Sequence, residues 1–245
     1  MKILVTGCAG FIGSHTCEKL LKDGNIILGI DNLNDYYSIE QKSSNIEILK
    51  KYANFTFLKE DIKNTKEILN WHPDVVLHLA AMAGVRYSLE NPQLYSDINI
   101  NGFINILEQC RLINCKLVYA SSSSVYGLNT KVPFSEDDPI EKCNSPYACS
   151  KRAKEIYAQM YSQVYNLSTI GLRFFTVYGP RGRPDMAPYK FLNKISNEIS
   201  IDKYGNGTSS RDYTYISDIV SGIISAIHCN KKCEIYNLGN SSPVS

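Results

Sequence analysis

The chain has 245 residues, with 26 Lys and Arg against 24 Asp and Glu and a formal net charge of +2. That near-balance, with the basic residues spread along the chain, gives no electrostatic case for nucleic acid as a partner. The longest apolar runs have the length of strands, too short to span a bilayer, and a chain of this size buries one large core or one and part of a second.

Residues 2–6 read as an apolar strand. They run into Gly7, Gly10 and Gly13, then into an amphipathic segment with Ile12, Cys17, Leu20 and Leu21 near helical spacing and Gly24 as its stop. A strand, a glycine turn and a helix start make an anion cradle. Bare backbone lets a pyrophosphate approach, and unpaired N–H groups point at it. The pattern implies a dinucleotide and hence redox chemistry, although glycines also make tight turns in proteins that bind nothing. Asp31 adds to it, at the end of a second apolar run, 26–30. A carboxylate there accepts from both ribose hydroxyls and repels a 2′-phosphate, and residues 32–35 hold no Arg or Lys. The expected cofactor is NAD rather than NADP.

Further strand-like runs lie at 55–58, 75–79, 117–120 and 169–174, with helical candidates near 40–52, 65–71, 93–113 and 147–165. This alternation predicts an α/β fold: a doubly wound parallel sheet with helices on both faces and ligands beyond the carboxyl ends of the strands. Residues 1–175 are expected to form the dinucleotide-binding unit. From 176 to 212 the alternation gives way to Gly-, Pro- and Arg-rich segments with one short helix near 188–199. A helix near 217–228 and a strand near 234–238 then return to the pattern, so 176–245 is expected to mix substrate-lobe loops with elements of the main sheet. The eight cysteines show no C-x-x-C spacing and read as reduced thiols, and Cys229 with Cys233 lacks the second pair a metal site needs.

Tyr147 and Lys151 stand four apart just after Pro146, on one face of a helix start. A free tyrosine titrates near 10, too high for a good base at neutral pH. A lysine cation one turn away, with a positive nicotinamide ring, is expected to lower that value. Ser122 lies in a serine run that leaves the end of the fifth strand, where its hydroxyl can bond a substrate oxygen and relay a proton to the phenolate.

Together these features resemble the extended short-chain dehydrogenase/reductase superfamily, in its nucleotide-sugar epimerase branch, and most closely the UDP-glucuronate 4-epimerases. The similarity runs through residues 6–13, 31–37, 78–81, 83–90, 120–127, 145–151, 172–185 and 207–216. It implies Ser122 as the catalytic hydroxyl, Tyr147 as the base and Lys151 as the partner that also holds the nicotinamide ribose. It implies cofactor contacts from Gly7, Gly10, Phe11, Ile12 and Gly13, from Asp31 and Asn32, from Asp61 and Ile62 at the adenine, from Leu79 and Ala81 at the pyrophosphate, and from Asn99 on the long helix. Thr176 and Arg183 match positions that hold a glucuronate carboxylate, Arg211 a diphosphate-binding arginine, and Arg86 a further anion contact. The implied reaction is redox-neutral conversion of UDP-glucuronate to UDP-galacturonate through a 4-keto sugar, with NAD retained. Ser124 stands where related decarboxylases carry Glu, which favours epimerisation.

A UDP-hexose 4-epimerase acting on neutral sugars is the rival enzyme. An NAD-binding module with little or no turnover is the other alternative, because the substrate lobe reads as incomplete at its C-terminal end and Met82 replaces a usual Gln. The resemblance further implies a homodimer through the helices near 93–113 and 147–165, and the reduced thiols point to the cytoplasm as the expected compartment.

Overall fold

The computed structural model describes residues 1–201 and 210–244. In chain order the first half comprises β1 (Lys2–Thr6), α1 (Phe11–Lys22), β2 (Ile26–Asp31), α2 (Ile39–Leu49), β3 (Phe55–Lys59), α3 (Glu67–Trp71) and β4 (Val75–His78). Next come α4 (Val85–Glu90), α5 (Pro92–Tyr95), a π-helical stretch (Ser96–Asn101), α6 (Gly102–Ile113), β5 (Lys116–Ser122) and a 3₁₀ turn (Ser123–Tyr126). The second half adds α7 (Pro146–Tyr165), β6 (Thr169–Phe174), β7 (Thr176–Tyr178), α8 (Ala187–Ser196), β8 (Arg211–Tyr215), α9 (Ile216–His228), β9 (Cys233–Leu238) and β10 (Pro243–Val244).

The main sheet has seven strands in the order β3-β2-β1-β4-β5-β6-β9, and every pairing is parallel. Alternating side chains send successive strand residues to opposite faces. Ile3, Val5, Ile27, Val75, Leu77 and Val118 meet Leu20, Leu49, Ile219 and Ile223 from α1, α2 and α9. Leu4, Leu28, Val76, Leu117 and Tyr119 meet Ile68, Phe103, Ile106 and Ala158 from α3, α6 and α7. The winding reverses between β1 and β4. Their carboxyl ends therefore part and leave a crevice, the place where open α/β sheets bind ligands.

A small second sheet, β10-β8-β7, lies beside this frame. Two of its strands, β7 and β10, have three and two residues, too few to read as strand-like runs in the sequence. The helix expected over 93–113 is in fact two helices joined by the π-helical stretch, and a short helix at Val85–Glu90 precedes them. Of the similar segment 207–216, residues 207–209 lie outside the described residues. Among the described residues no helix is long and apolar enough to cross a membrane.

Candidate active site

A cleft of about 770 Å³ opens over the carboxyl ends of β1 and β4, and its walls include Gly7, Asp31, Ser122, Tyr147 and Arg183. Another hollow, of about 650 Å³, lies at the opposite end of the sheet beside Met1, Asp74 and Lys116. That one contains none of the residues predicted to bind cofactor or substrate or to act in catalysis.

The glycine turn forms the floor of the cleft. Gly7 has a φ of 75°, a left-handed conformation that suits glycine. A Cβ on Gly13 would stand 2.1 Å from the Gly7 carbonyl oxygen, so only glycine lets α1 pass this close. Gly10 caps α1 without a side-chain bond, and no acidic residue occupies the first turn. The leading N–H groups therefore face the cleft with no side chain competing for them, which suits a pyrophosphate. Phe11, Ile12, Leu79 and Ala81 line the same region.

Asp31 ends β2. Its Oδ2 accepts from Ala9 N at 3.2 Å and its Oδ1 from Leu33 N at 2.9 Å. Burial pushes its carboxyl pKa up, against the pull of those amides and of the Lys42 ammonium. Asn32 donates to Asp61 Oδ2 at 3.1 Å, joining the ends of β2 and β3 into one wall with Ile62 beside them. Lys42 was not anticipated. The Ser38 cap sets α2 so that Lys42 Nζ reaches Asn34 O at 2.5 Å and Asn34 Oδ1 at 2.7 Å, 4.4 Å from the Tyr37 ring centre. Residues 32–35 indeed hold no cation; one arrives from the next helix, which the Ser38 cap signal could have suggested.

At the other end of the cleft, Ser145 caps α7 by accepting from Ala148 N at 3.1 Å, and Pro146 fills the first helical position. Tyr147 and Lys151 then project from the first turns. Lys151 Nζ donates to Ala120 O at 3.0 Å and stands 5.6 Å from the Tyr147 ring centre. Burial, followed by the like charge of Arg183, brings the Lys151 ammonium down to about 8.

The chain's own groups do not lower the Tyr147 pKa, while the expectation also counts the positive nicotinamide ring. Burial pushes the phenol up, outweighing the downward pull of the Ser122 hydroxyl and of the Arg183 charge. Spacing to a lysine suggested an acidic phenol, but Lys151 is held on a carbonyl and desolvation wins. Ser122, at the end of β5, also donates to Ser124 Oγ and accepts from Ser124 N, both at 3.1 Å.

Arg183 reaches the cleft beside Tyr147, yet it is not free to meet an anion with its whole fork. Asp185 accepts from Nε at 3.0 Å and from Nη2 at 2.5 Å, and Tyr36 donates to the same carboxylate at 3.2 Å. Thr176 starts β7 on the cleft wall. Arg86 on α4 and the exposed Arg211 at the start of β8 complete the rim.

Asn99 is the one predicted residue that the structure keeps out of the cleft. It is fully buried in the π-helical stretch. Its Oδ1 accepts from Met82 N at 2.8 Å, and its Nδ2 donates to Met82 O at 3.0 Å and Ser150 Oγ at 3.0 Å. It therefore acts on the cleft through the Met82 backbone.

Beneath the serine run lies a polar network that sequence reasoning missed. Ser121 donates to Glu155 Oε1 at 2.6 Å, and buried Arg173 donates to both Glu155 oxygens at 2.9 and 3.0 Å. Arg173 also donates to the Tyr126 hydroxyl at 2.9 Å, which in turn donates to Asn237 Oδ1 at 2.6 Å. The loop that presents Ser122 is thus tied from both sides.

Comparison with known proteins was made against this geometry. The profile of the NAD dependent epimerase/dehydratase family matches residues 3–239. Protein CapI of Staphylococcus aureus is 49% identical over all of this chain and 80% of its own length. UDP-glucuronate 4-epimerase 2 of Arabidopsis thaliana is 46% identical over all of this chain and 61% of its own. The crystal structure of UDP-glucuronic acid 4-epimerase from Bacillus cereus, in complex with UDP-glucuronic acid and NAD, superposes with a TM-score of 0.94 at 39% identity, covering all of this chain and 79% of that one.

Proposed function

Since the chain belongs to the NAD dependent epimerase/dehydratase family, we propose that it is an NAD-dependent UDP-sugar 4-epimerase that interconverts UDP-glucuronate and UDP-galacturonate. The observation that carries this reading is the convergence of a phenol, a hydroxyl and a guanidinium in one cleft, Tyr147, Ser122 and Arg183. The residues present suit NAD. The uncapped start of α1 meets a pyrophosphate, the buried Asp31 carboxylate meets ribose hydroxyls, and Lys151 meets the second ribose.

When bound, NAD supplies the two-electron oxidation and re-reduction at C4, and its positive ring adds to the charges that favour a phenolate. Tyr147 takes the proton of the C4 hydroxyl, with Ser122 holding that oxygen at the phenol, and returns it after the sugar has turned over. The 4-keto sugar carries its C6 carboxylate as a β-keto acid, which readily loses CO₂. We assign Thr176 and Arg183 to hold that carboxylate. Asp185 takes Nε and Nη2 of Arg183, so the Nη1 edge is the one offered to the sugar. Arg211 and Arg86 on the rim suit the diphosphate.

Two further features belong to this reading. Exposed apolar side chains, Leu112 on α6 and Ile156, Val164 and Tyr165 on α7, support a homodimer formed across these helices. Eight free cysteines suit a reducing compartment, the cytoplasm.

Incubation of the purified chain with UDP-glucuronate and NAD⁺, followed by NMR, tests the assignment. UDP-galacturonate is expected. A UDP-pentose, no product, or faster turnover of UDP-glucose overturns the choice of substrate.

A further inference from the structure

Residues 179–186 join β7 to α8 and carry Arg183. Side chains outside the cleft wall pin this segment to α1 and α2. Arg181 Nη2 donates to Glu18 Oε2 at 2.8 Å and lies 2.8 Å from His15 Nδ1. His15 Nε2 lies 2.8 Å from Pro180 O. A neutral ring protonated at Nε2 satisfies both contacts, donating to Pro180 and accepting from Arg181. Burial lowers the pKa of that ring, against the pull of the Pro180 carbonyl, and so keeps Nδ1 open to Arg181. On the α2 side, Gln41 Nε2 donates to the Arg181 carbonyl at 2.9 Å and to the Gly182 carbonyl at 3.1 Å. Arg181 itself has a φ of 63°, a left-handed conformation that disfavours a side chain. An arginine held where glycine would fit more easily points to a use for the guanidinium.

His15 and Glu18 share one face of α1. The uncapped start of that helix faces the cleft, and Phe11, on the cleft wall, packs edge-on against His15 with ring centres 5.7 Å apart. One helix thus meets the cleft with its first turn and holds the Arg183 segment with the next. We propose that Arg181 is a positioning residue for substrate specificity, whose clasp on His15 and Glu18 fixes the backbone from which Arg183 reaches a sugar carboxylate. This rests on the reading that Arg183 holds that carboxylate. Asp185 orients Arg183 within the segment, and Tyr36 and Gln41 hold the segment from the β2–α2 side. The clasp holds its other flank, so cutting it weakens recognition of the carboxylate and spares the chemical step.

The test uses the full chain with NAD⁺. It reads KM and kcat for UDP-glucuronate, calorimetric binding of UDP-glucuronate and UDP-glucose, and backbone hydrogen exchange over residues 179–186. Arg181→Ala and Glu18→Ala should each raise KM and the dissociation constant for UDP-glucuronate about 3- to 10-fold, between the effect of a surface ion pair and that of a hydrogen bond to a charged group. The kcat and the binding of UDP-glucose should stay within about twofold, as when an interaction common to ground and transition states is lost. Exchange over the segment should quicken in both variants. The double variant should lose no more than Arg181→Ala alone, because the two residues form one contact. Glu18→Gln keeps an acceptor for Nη2 and should recover part of the loss. Arg181→Gly removes the clasp while easing the backbone, so the same shift there excludes misfolding as its source. Arg183→Ala tests the carboxylate reading by itself: if that variant keeps the wild-type preference for UDP-glucuronate over UDP-glucose, the reading fails and the role of Arg181 falls with it. If Arg183→Ala loses the preference while Arg181→Ala keeps it, or weakens both sugars equally, the proposal for Arg181 alone is overturned.

Discussion

Asp185 grips Arg183 through both prongs of its guanidinium, Nε to Oδ1 at 3.0 Å and Nη2 to Oδ2 at 2.5 Å, two residues apart on one loop. The arginine assigned to the substrate carboxylate therefore arrives already oriented by an internal one. Such paired, charge-assisted bonds fix direction as well as distance. Lysine keeps the charge and loses the fork. Arg183→Lys is expected to lower kcat/KM for UDP-glucuronate about 10- to 100-fold, matching the roughly 1.5–3 kcal/mol of a hydrogen bond to a charged group. UDP-glucose should be affected less, and a UDP-pentose by-product should rise as the carboxylate is held less firmly. Equal losses for both sugars would place Arg183 outside carboxylate recognition.

Tyr147→Phe removes the base and keeps the ring, which packs edge-on against Tyr95 with centres 6.1 Å apart. Turnover is expected to fall about 10²–10⁴-fold, the usual contribution of a positioned acid or base. Thermal stability and NAD binding, followed by calorimetry, should change little. Undiminished epimerisation would remove the phenol from the mechanism.

The two glycines of the cradle should behave differently. At Gly13 a Cβ would sit 2.1 Å from the Gly7 carbonyl oxygen, so Gly13→Ala must push α1 away from the turn. A loss of about 3 kcal/mol in unfolding free energy is expected, at the upper end of overpacking costs. At Gly10 the nearest atom to a new Cβ, the same oxygen, is 3.2 Å away. Gly10→Ala should stay close to wild type in stability and lose NAD affinity, because the methyl group occupies the path of the pyrophosphate. Denaturant melts and NAD titration of both variants separate these outcomes.

His78 makes folding sensitive to acid. It is fully buried, its Nδ1 lies 2.9 Å from Thr6 Oγ1, and its Nε2 has no partner among the described residues. Burial first, then the charges of Lys154 and Lys151, hold its pKa well below the ordinary histidine value. The unfolded chain therefore takes up a proton near about 6.5 that the folded chain refuses. Stability is expected to fall as pH drops through that value. Unfolding followed between about pH 7 and 5 should show this slope, and His78→Gln should flatten it while lowering stability at neutral pH. An unchanged slope in the variant assigns the acid sensitivity to other groups.

Much of this architecture was legible because it is written locally. The buried strands read as short apolar runs, Asp31 closes one of them, and Tyr147 and Lys151 share a helix face behind a proline. What stayed hidden depends on partners far apart in the chain. Glu155 and Arg173 look like ordinary surface charges until β5, β6 and α7 bury them together with Ser121. Lys42 belongs to a different helix from the loop it secures. The direction of the Tyr147 pKa could not be read from spacing, because spacing reports a neighbouring charge and says nothing of desolvation.

The wide turn at Ser96–Asn101 takes up one extra residue without turning the helix that follows it. A π-helical turn holds about one residue more than an ordinary turn. Removing a single residue there would restore a regular screw and leave α6 close to its present phase, because the wide turn already absorbs the extra residue. Phe103 and Ile106 would stay on the sheet, while the bulge that carries the Asn99 amide to Met82 would be lost. The extra residue of that short segment thus serves the cleft through Asn99 and leaves the helix packing as it would be without it.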